Sequence, residues 1–220
     1  MKILCVAAVE NDEFIREQIA KQTIQPDIVK IYIDENPAKG LDERRKRIAD
    51  NHKILEQYVE QTDCDLVWQL EGDSELEDNT LERLIGHYIR LQNKDFGYIS
   101  GIQVGRHGLY CLGAWIVKPD RTSFNSLDYK LTGIQQVDAT GWYCLLAPRT
   151  VWLEGRANWN NQRYGPDVVW GLSLPYKKYV DMGLHIGHKL KRGTIRPSDM
   201  STCNARFYLE NNEWKFEQLD

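Results

Sequence analysis

The chain lacks a long apolar run. None of its hydrophobic stretches approaches the ~20 residues a membrane-spanning helix needs. The first of them, Ile3–Val9, gives way at once to Glu10-Asn11-Asp12-Glu13. It therefore reads as a buried strand, not a signal-peptide core, and no transmembrane segment is expected. Cysteine is sparse and unpatterned: five residues, at 5, 64, 111, 144 and 203, with no C-x-x-C. An odd, scattered set argues against a disulfide framework and for a reduced, cytoplasmic setting. Charge of one sign is missing too. The 28 basic and 32 acidic residues leave a net charge of −4, so bulk charge gives no support for nucleic-acid binding. There is no internal repeat and no low-complexity linker.

What is present fits a folded chain. With 220 residues, 42% apolar and 27% charged, it can bury a core without metal or disulfide staples. The charge is unevenly spread. Residues 174–196 carry six Lys/Arg (177, 178, 189, 191, 192, 196) against one acid, Asp181, a local +5. A basic patch in an acidic protein suits a small anionic ligand or a phosphate-bearing surface.

Periodicity and punctuation divide the chain. Lys2–Val9 is a buried first strand, and Asp12 is placed to cap a helix over Glu13–Thr23. A β-branched strand over Ile28–Ile33 ends at Asp34-Glu35. A long polar helix follows over Asp42–Thr62, then a third strand over Asp65–Leu70 that runs into Glu71-Gly72-Asp73. Thr80–Leu91 is an amphipathic helix, 96–104 and 109–117 are strands, and 118–133 is turn-rich. Strands at Ile134–Asp138 and Trp142–Ala147 flank Gly141. A short helix at Thr150–Leu153, a loop at Asn158–Gly165, a helix over Pro166–Lys178 and a short strand at Tyr179–Asp181 complete the reading. Strand and helix alternate through the first half, the signature of a mainly parallel α/β sheet covered on both faces. Such sheets bind ligands at the carboxyl ends of their strands. The acids at Asp34 and at Glu71-Gly72-Asp73 fall there.

Three sites could carry chemistry. Glu71 and Asp73 flank a glycine directly after an apolar strand, so both carboxylates could reach a hard cation while the glycine admits a ligand to the backbone. The structural alternative is an acidic turn at a helix start. His188, in L-H-I-G-H-K, is a weak candidate metal ligand, with a plain surface or core histidine as the alternative. Asp167, in Y-G-P-D-V-V-W, sits in the first turn of a helix, where it either suits the dipole or serves as a general base.

Taken together, these segments resemble the metal-dependent GT-A glycosyltransferases, in particular the large inverting family 2. The likeness covers roughly residues 2–190. K-I-L-C-V-A-A-V-E-N-D is similar to that family's first strand and nucleotide-contacting loop, which brings in Val9. Q-T-I-Q-P-D-I-V-K-I-Y-I-D is similar to its second strand, closing on the acid that contacts the base; that role passes to Asp34. Arg44–Asn51 loosely matches its A-R-N segment. D-L-V-W-Q-L-E-G-D-S-E-L resembles the strand and D-x-D motif, with Glu71 in place of the first aspartate and Asp73 matching the second. V-D-A-T-G-W-Y-C-L-L-A-P-R-T-V-W resembles the acceptor-side strand and helix. Y-G-P-D-V-V-W-G-L-S-L resembles the helix start that holds the base, here Asp167 preceded by Pro166. Y-V-D-M-G-L-H-I-G-H-K resembles the late strand with its closing histidine, here His188.

The resemblance implies a GT-A domain over 1–196, with a nucleotide-binding half (1–95), an acceptor half (96–196) and a C-terminal tail (197–220). It implies a nucleotide-diphosphate-sugar donor, a UDP-sugar by preference, held by Val9, Asp34, Arg44, Glu71, Gly72, Lys189 and Arg192. Mn²⁺ or Mg²⁺ would bind Asp73, His188 and Glu71. Asp167 would take the acceptor proton in an inverting displacement. Trp142, Trp159 and Tyr164 would meet an acceptor, whether glycan, protein or modified DNA; for Trp142 core packing is an equal alternative. Two rivals remain. A non-catalytic nucleotide or sugar binder is one. A nucleotidyltransferase is the other, but the loop A-A-V-E-N-D-E lacks the glycine-rich, basic character such enzymes show.

Overall fold

The structure is a computed structural model that describes residues 1–35, 41–93, 95–105, 111–118, 123–155, 157, 164–191, 193–199, 204–210 and 213–219. In chain order the first strands are β1 (Ile3–Val9), β2 (Ile28–Ile33), β3 (Leu66–Glu71), β4 (Ser74–Glu75), β5 (Phe96–Ile102), β6 (Ala114–Val117) and β7 (Ser123–Ser126). They are followed by β8 (Ile134–Val137), β9 (Ala139–Thr140), β10 (Cys144–Pro148), β11 (Lys177–His185), β12 (Gly187–Leu190), β13 (Gly193–Ile195), β14 (Asn204–Glu210) and β15 (Glu213–Leu219). The helices are α1 (Glu13–Ala20), α2 (Leu41–Glu60), α3 (Thr80–Leu91), α4 (Arg149–Glu154) and α5 (Pro166–Ser173).

The central sheet has seven strands in the order β2-β1-β3-β10-β5-β11-β8. β1, β2, β3, β5 and β11 run in one direction; β10 and β8 run against them. The continuous apolar run of β1 follows from cover on both faces. Its odd residues, Ile3, Cys5, Ala7 and Val9, pack with Ile15 and Ile19 of α1 and Leu81 and Leu84 of α3. Its even residues, Leu4 and Val6, pack with Leu55 and Val59 of α2, Trp152 of α4 and Trp170 of α5. No helix among the described residues is long and apolar enough to cross a membrane.

Two smaller sheets attach to this frame. β13-β12-β4 is a three-stranded patch, and β15-β14-β7-β6-β9 is a five-stranded one. β14 and β15 pair antiparallel and β14 also pairs with β7, so these two strands extend the second sheet.

Several features differ from the sequence expectation, among them the strand expected at Tyr179–Asp181, which spans Lys177–His185. The helix expected over Pro166–Lys178 ends at Ser173, because Leu174 precedes Pro175 and is extended (ψ 126°). Lys178 instead opens the long strand β11 region and turns back. Its buried ammonium donates to the carbonyls of Gly171 (3.2 Å) and Leu174 (3.1 Å) at the end of α5. The stretch 118–133 contains β7, and the strand expected over 109–117 narrows to β6, with 106–110 outside the described residues. Asp12 stands at the N-cap of α1 but its side chain binds no helix amide; it takes Arg16 instead.

Candidate functional site

A cleft of about 920 Å³ opens at the carboxyl ends of β1, β2 and β3. One wall is a stripe of α2: Arg44, Arg47, Ile48, Asn51, His52 and Leu55, spaced so that all share one helix face. The polar residues at 44, 47 and 51 face the cleft rather than the core. The helix is anchored at its far end by Arg149, which donates to the carbonyls of Val59 and Glu60, both at 3.1 Å.

At one side of the cleft, Asp34 terminates β2. Its amide bonds the carbonyl of Val9 at 2.7 Å, tying the ends of β2 and β1 together. Its carboxylate is buried and accepts from Arg47 Nε (2.8 Å) and Asn51 Nδ2 (2.9 Å). Asp34 thus fixes two cleft-facing donors of α2.

At the other side, β3 runs out through Glu71-Gly72-Asp73. The Gly72 position is dictated by Val9: a Cβ there would lie 2.7 Å from Val9 Cγ1. The segment beyond it is gripped from α1. Gln18 and Gln22 are buried, and their side-chain oxygens accept the amides of Leu76 (2.9 Å) and Leu81 (3.0 Å). The ladder between β4 and β12 pairs Ser74 with His188, and the amide of Lys189 donates to the carbonyl of Asp73 at 2.8 Å. This brings His188 Nε2 to 3.3 Å from Asp73 Oδ2. His188 Nδ1 bonds the carbonyl of Val104 at 2.8 Å. A carbonyl only accepts, so Nδ1 carries the proton and donates. In the neutral ring Nε2 then turns a lone pair toward a carboxylate.

Of the donor-site residues expected from sequence, Val9, Asp34, Arg44, Glu71, Gly72 and Lys189 all line this cleft, with Asp73. Arg192 and Trp159 lie outside the described residues. The expected metal set is only partly assembled. Asp73 and His188 meet, but among the described residues no three His, Cys, Asp or Glu side chains come together as a metal cluster. Glu71 is the last residue of β3, and Asp73 follows in the turn beyond Gly72; both line the cleft. The basic segment 174–196 also divides. Lys189 and Lys191 reach the cleft, Lys189 with its ammonium 3.6 Å from the Phe14 ring centroid. Lys178 caps α5, and Arg196 pairs with Glu75.

The expected acceptor contacts need correction. Trp142 and Tyr164 are buried, at 3% and 5% exposure. The Trp142 indole is stacked on His52 and abutted by Trp170, so only a margin of it reaches the cleft. Tyr164 packs with Ala139 and Val168. Asp167 is not among the residues lining the cleft. It stands beside it: Asp167 Oδ2 lies 3.5 Å from where a Cβ on Gly141 would be, and Gly141 leads directly into Trp142. Burial pushes the Asp167 carboxyl up to about 6, against the pull of the Val168 and Asp167 amides and of Arg45.

Sequence reasoning missed Arg47, Asn51, His52 and Phe14 as cleft residues. The signal for the first two was available: polar residues at i, i+3 and i+7 on a helix that follows the acid-ended strand.

No family model matches the sequence, and no curated protein matches it. Among solved structures, the chain is similar to "Crystal Structure of A197 from STIV", with a TM-score of 0.62 and 13% identity over 91% of this chain and 92% of that one. At that identity the likeness concerns the fold, a mixed α/β architecture shared over nearly the full length.

Proposed function

We propose that the protein is a GT-A glycosyltransferase that moves a sugar from a nucleoside-diphosphate sugar to an acceptor hydroxyl. The reading is supported above all by one relationship: Asp73 and His188 meet, across a cleft at the strand ends, from the donors that Asp34 holds on α2. In this reading the nucleoside lies toward Arg47 and Asn51, and the diphosphate lies toward Asp73, Lys189 and Lys191.

The residues at that end fit a hard divalent ion. With Nε2 unprotonated, as a metal ligand must be, His188 and Asp73 present two ligand atoms 3.3 Å apart, close to the ~3 Å between neighbouring ligands of an octahedral ion with ~2.1 Å bonds. The Nδ1 contact to Val104 is the outer hydrogen bond that fixes a ligating imidazole in one tautomer. Charge points the same way. The described lining holds five carboxylates (Glu10, Glu13, Asp34, Glu71, Asp73) against four cations (Arg44, Arg47, Lys189, Lys191), which alone does not favour a diphosphate. Mn²⁺ or Mg²⁺ on Asp73 and His188 would supply that charge and stabilise the leaving diphosphate.

The chain's own groups do the rest. Arg47 and Asn51 orient the nucleoside. Lys189 and Lys191 add positive charge at the leaving group. Asp167, raised toward neutrality by burial, takes the proton of the attacking hydroxyl as the bond to the anomeric carbon forms and the bond to the diphosphate oxygen breaks. Calorimetric titration with UDP, GDP and TDP, and with a sugar conjugate of each, with Mn²⁺ and with chelator, tests the reading. Binding that depends on the ion, followed by release of nucleoside diphosphate, supports it; no binding by any of them overturns it.

A further inference from the structure

Three buried polar atoms, on two residues of the cleft lining, have no hydrogen-bond partner among the described residues: Nδ1 and Nε2 of His52 and Nε1 of Trp142. Both residues line the cleft, yet His52 is 1% exposed. The imidazole lies flat on the Trp142 indole, centroids 4.1 Å apart and planes 8° from parallel. Trp152 tilts against it at 4.6 Å and Trp170 meets it edge-on at 6.1 Å. The Glu56 carboxylate stands 3.8 Å from Nε2, beyond hydrogen-bond range. Burial holds the ring neutral, with its proton affinity pushed down to about 3.

A phenyl or leucyl side chain would fill an aromatic cage at lower cost, because an unpaired buried donor and acceptor each forfeit their hydration. Buried polar groups left unmatched in a native core call for a use, and here they belong to residues of the cleft lining. A neutral imidazole offers one donor and one acceptor, and the indole N–H adds a donor. That set matches hydroxyl groups, which both give and accept, and it carries no charge of its own to balance an ionised group.

We propose that His52, with Trp142, forms a subsite for an uncharged, hydroxyl-bearing ring, the sugar of the donor. This rests on the reading of the cleft as a nucleotide-sugar site. It assigns the sugar to the side of the cleft between α2 and Trp142.

The test is His52→Phe, which keeps the ring, its volume and its stacking and deletes both nitrogens. The melting temperature of the free protein is expected to be unchanged or higher. With Mn²⁺ present, the variant's dissociation constants for UDP, GDP and TDP stay within about twofold of wild type. For whichever sugar conjugate wild type binds, the affinity gained over the bare diphosphate falls about tenfold or more. In ¹⁵N-histidine-labelled wild type, the ring signals absent from the variant's spectrum shift on adding that conjugate and not on adding the bare diphosphate. Equal affinity of variant and wild type for the conjugate overturns the subsite. So does an equal loss for conjugate and diphosphate, which marks a merely structural ring. Wild type that binds no nucleotide at all is a different result: it removes the parent reading and the subsite with it.

Discussion

His188 Nε2 lies 3.3 Å from Asp73 Oδ2, while the far side of the same ring is tied to the Val104 carbonyl. Neither residue is near the other in sequence; the β4–β12 ladder and the Lys189 amide bring them together. If a divalent ion sits between them, removing either ligand weakens nucleotide binding only when the ion is present. Asp73→Ala and His188→Ala are each expected to lower nucleoside-diphosphate affinity by about 10–100-fold in Mn²⁺. In chelator, wild type and both variants converge on one weak affinity. Titration calorimetry in both buffers measures this, and variants that bind as wild type in Mn²⁺ remove the pair from the site.

Asp167 gives a pH signature. Burial raises its carboxyl to about 6, so it is ionised and able to accept a proton only above that value. Transfer is therefore expected to rise with pH through about 6 and then level. Asp167→Asn slows transfer by about 10²–10⁴-fold with little change in donor affinity. The stability effect has the opposite sign. The folded value lies above the unfolded one, near 4, so folding is penalised as pH rises from about 4 through 6. Asp167→Asn removes that penalty and adds on the order of 1–3 kcal/mol at pH 7. A variant that is neither slower nor more stable takes the base role from Asp167.

How far the sequence discloses this site depends on the kind of contact. The continuous apolar strands, the alternation with helices and the acids at strand ends are local patterns, and they locate Asp34, Glu71 and Asp73 where the cleft lies. The run of α2 is nearly as plain, whereas the helix expected to reach Lys178 ends at Ser173, ahead of Pro175. Other features depend on contacts between distant segments. β10 enters antiparallel between β3 and β5, which no local period announces. Tyr164 looks like a contact aromatic in sequence and is packed away in the fold, while Trp142 is largely buried against His52 and Trp170 and still lines the cleft, because indole and phenol rings suit both roles. His52 looks like one polar residue on a polar helix; only its cage of tryptophans distinguishes it.

Gly72 is the tightest point of the cleft. Its backbone passes Val9 so closely that a Cβ would stand 2.7 Å from Cγ1 and 3.0 Å from Cβ of that residue. Gly72→Ala is expected to cost about 1–3 kcal/mol, as overpacking does in a fitted core. It also displaces Asp73 relative to β1, weakening nucleotide binding. Val9→Ala removes Cγ1 and makes room. The double variant should therefore recover part of both losses, which urea titration and calorimetry of the four proteins in a cycle would reveal. Strict additivity of the two substitutions would mean that the approach of Gly72 to Val9 does not set the cleft's shape.

Away from the cleft, Asp181 of β11 holds α3 to the sheet. Arg83 donates to both its oxygens, at 2.6 and 3.0 Å, and His87 Nε2 lies 2.6 Å from Oδ2. Arg90 reaches the other ring nitrogen of His87, which must then accept, so His87 Nε2 carries the proton and donates to Asp181. Burial alone would raise the Asp181 carboxyl, but the hydrogen bonds from His87, Arg83 and the Gly183 amide outweigh it and pull the group down to about 2. The folded value is thus below the unfolded one. The stabilisation, on the order of 2 kcal/mol, is fully present above about pH 4 and fades as pH falls from 4 through 2. Asp181→Ala leaves Arg83 and His87 facing each other without their carboxylate, and is expected to cost on the order of 3 kcal/mol at pH 7. At pH 2, where the carboxylate is about half protonated in the folded wild type and almost wholly so in the unfolded chain, most of that difference should be gone. Denaturant titrations of both proteins at pH 7, 4 and 2 follow the change. A gap between them that stays constant across that range would show that Asp181 contributes by packing and not by charge.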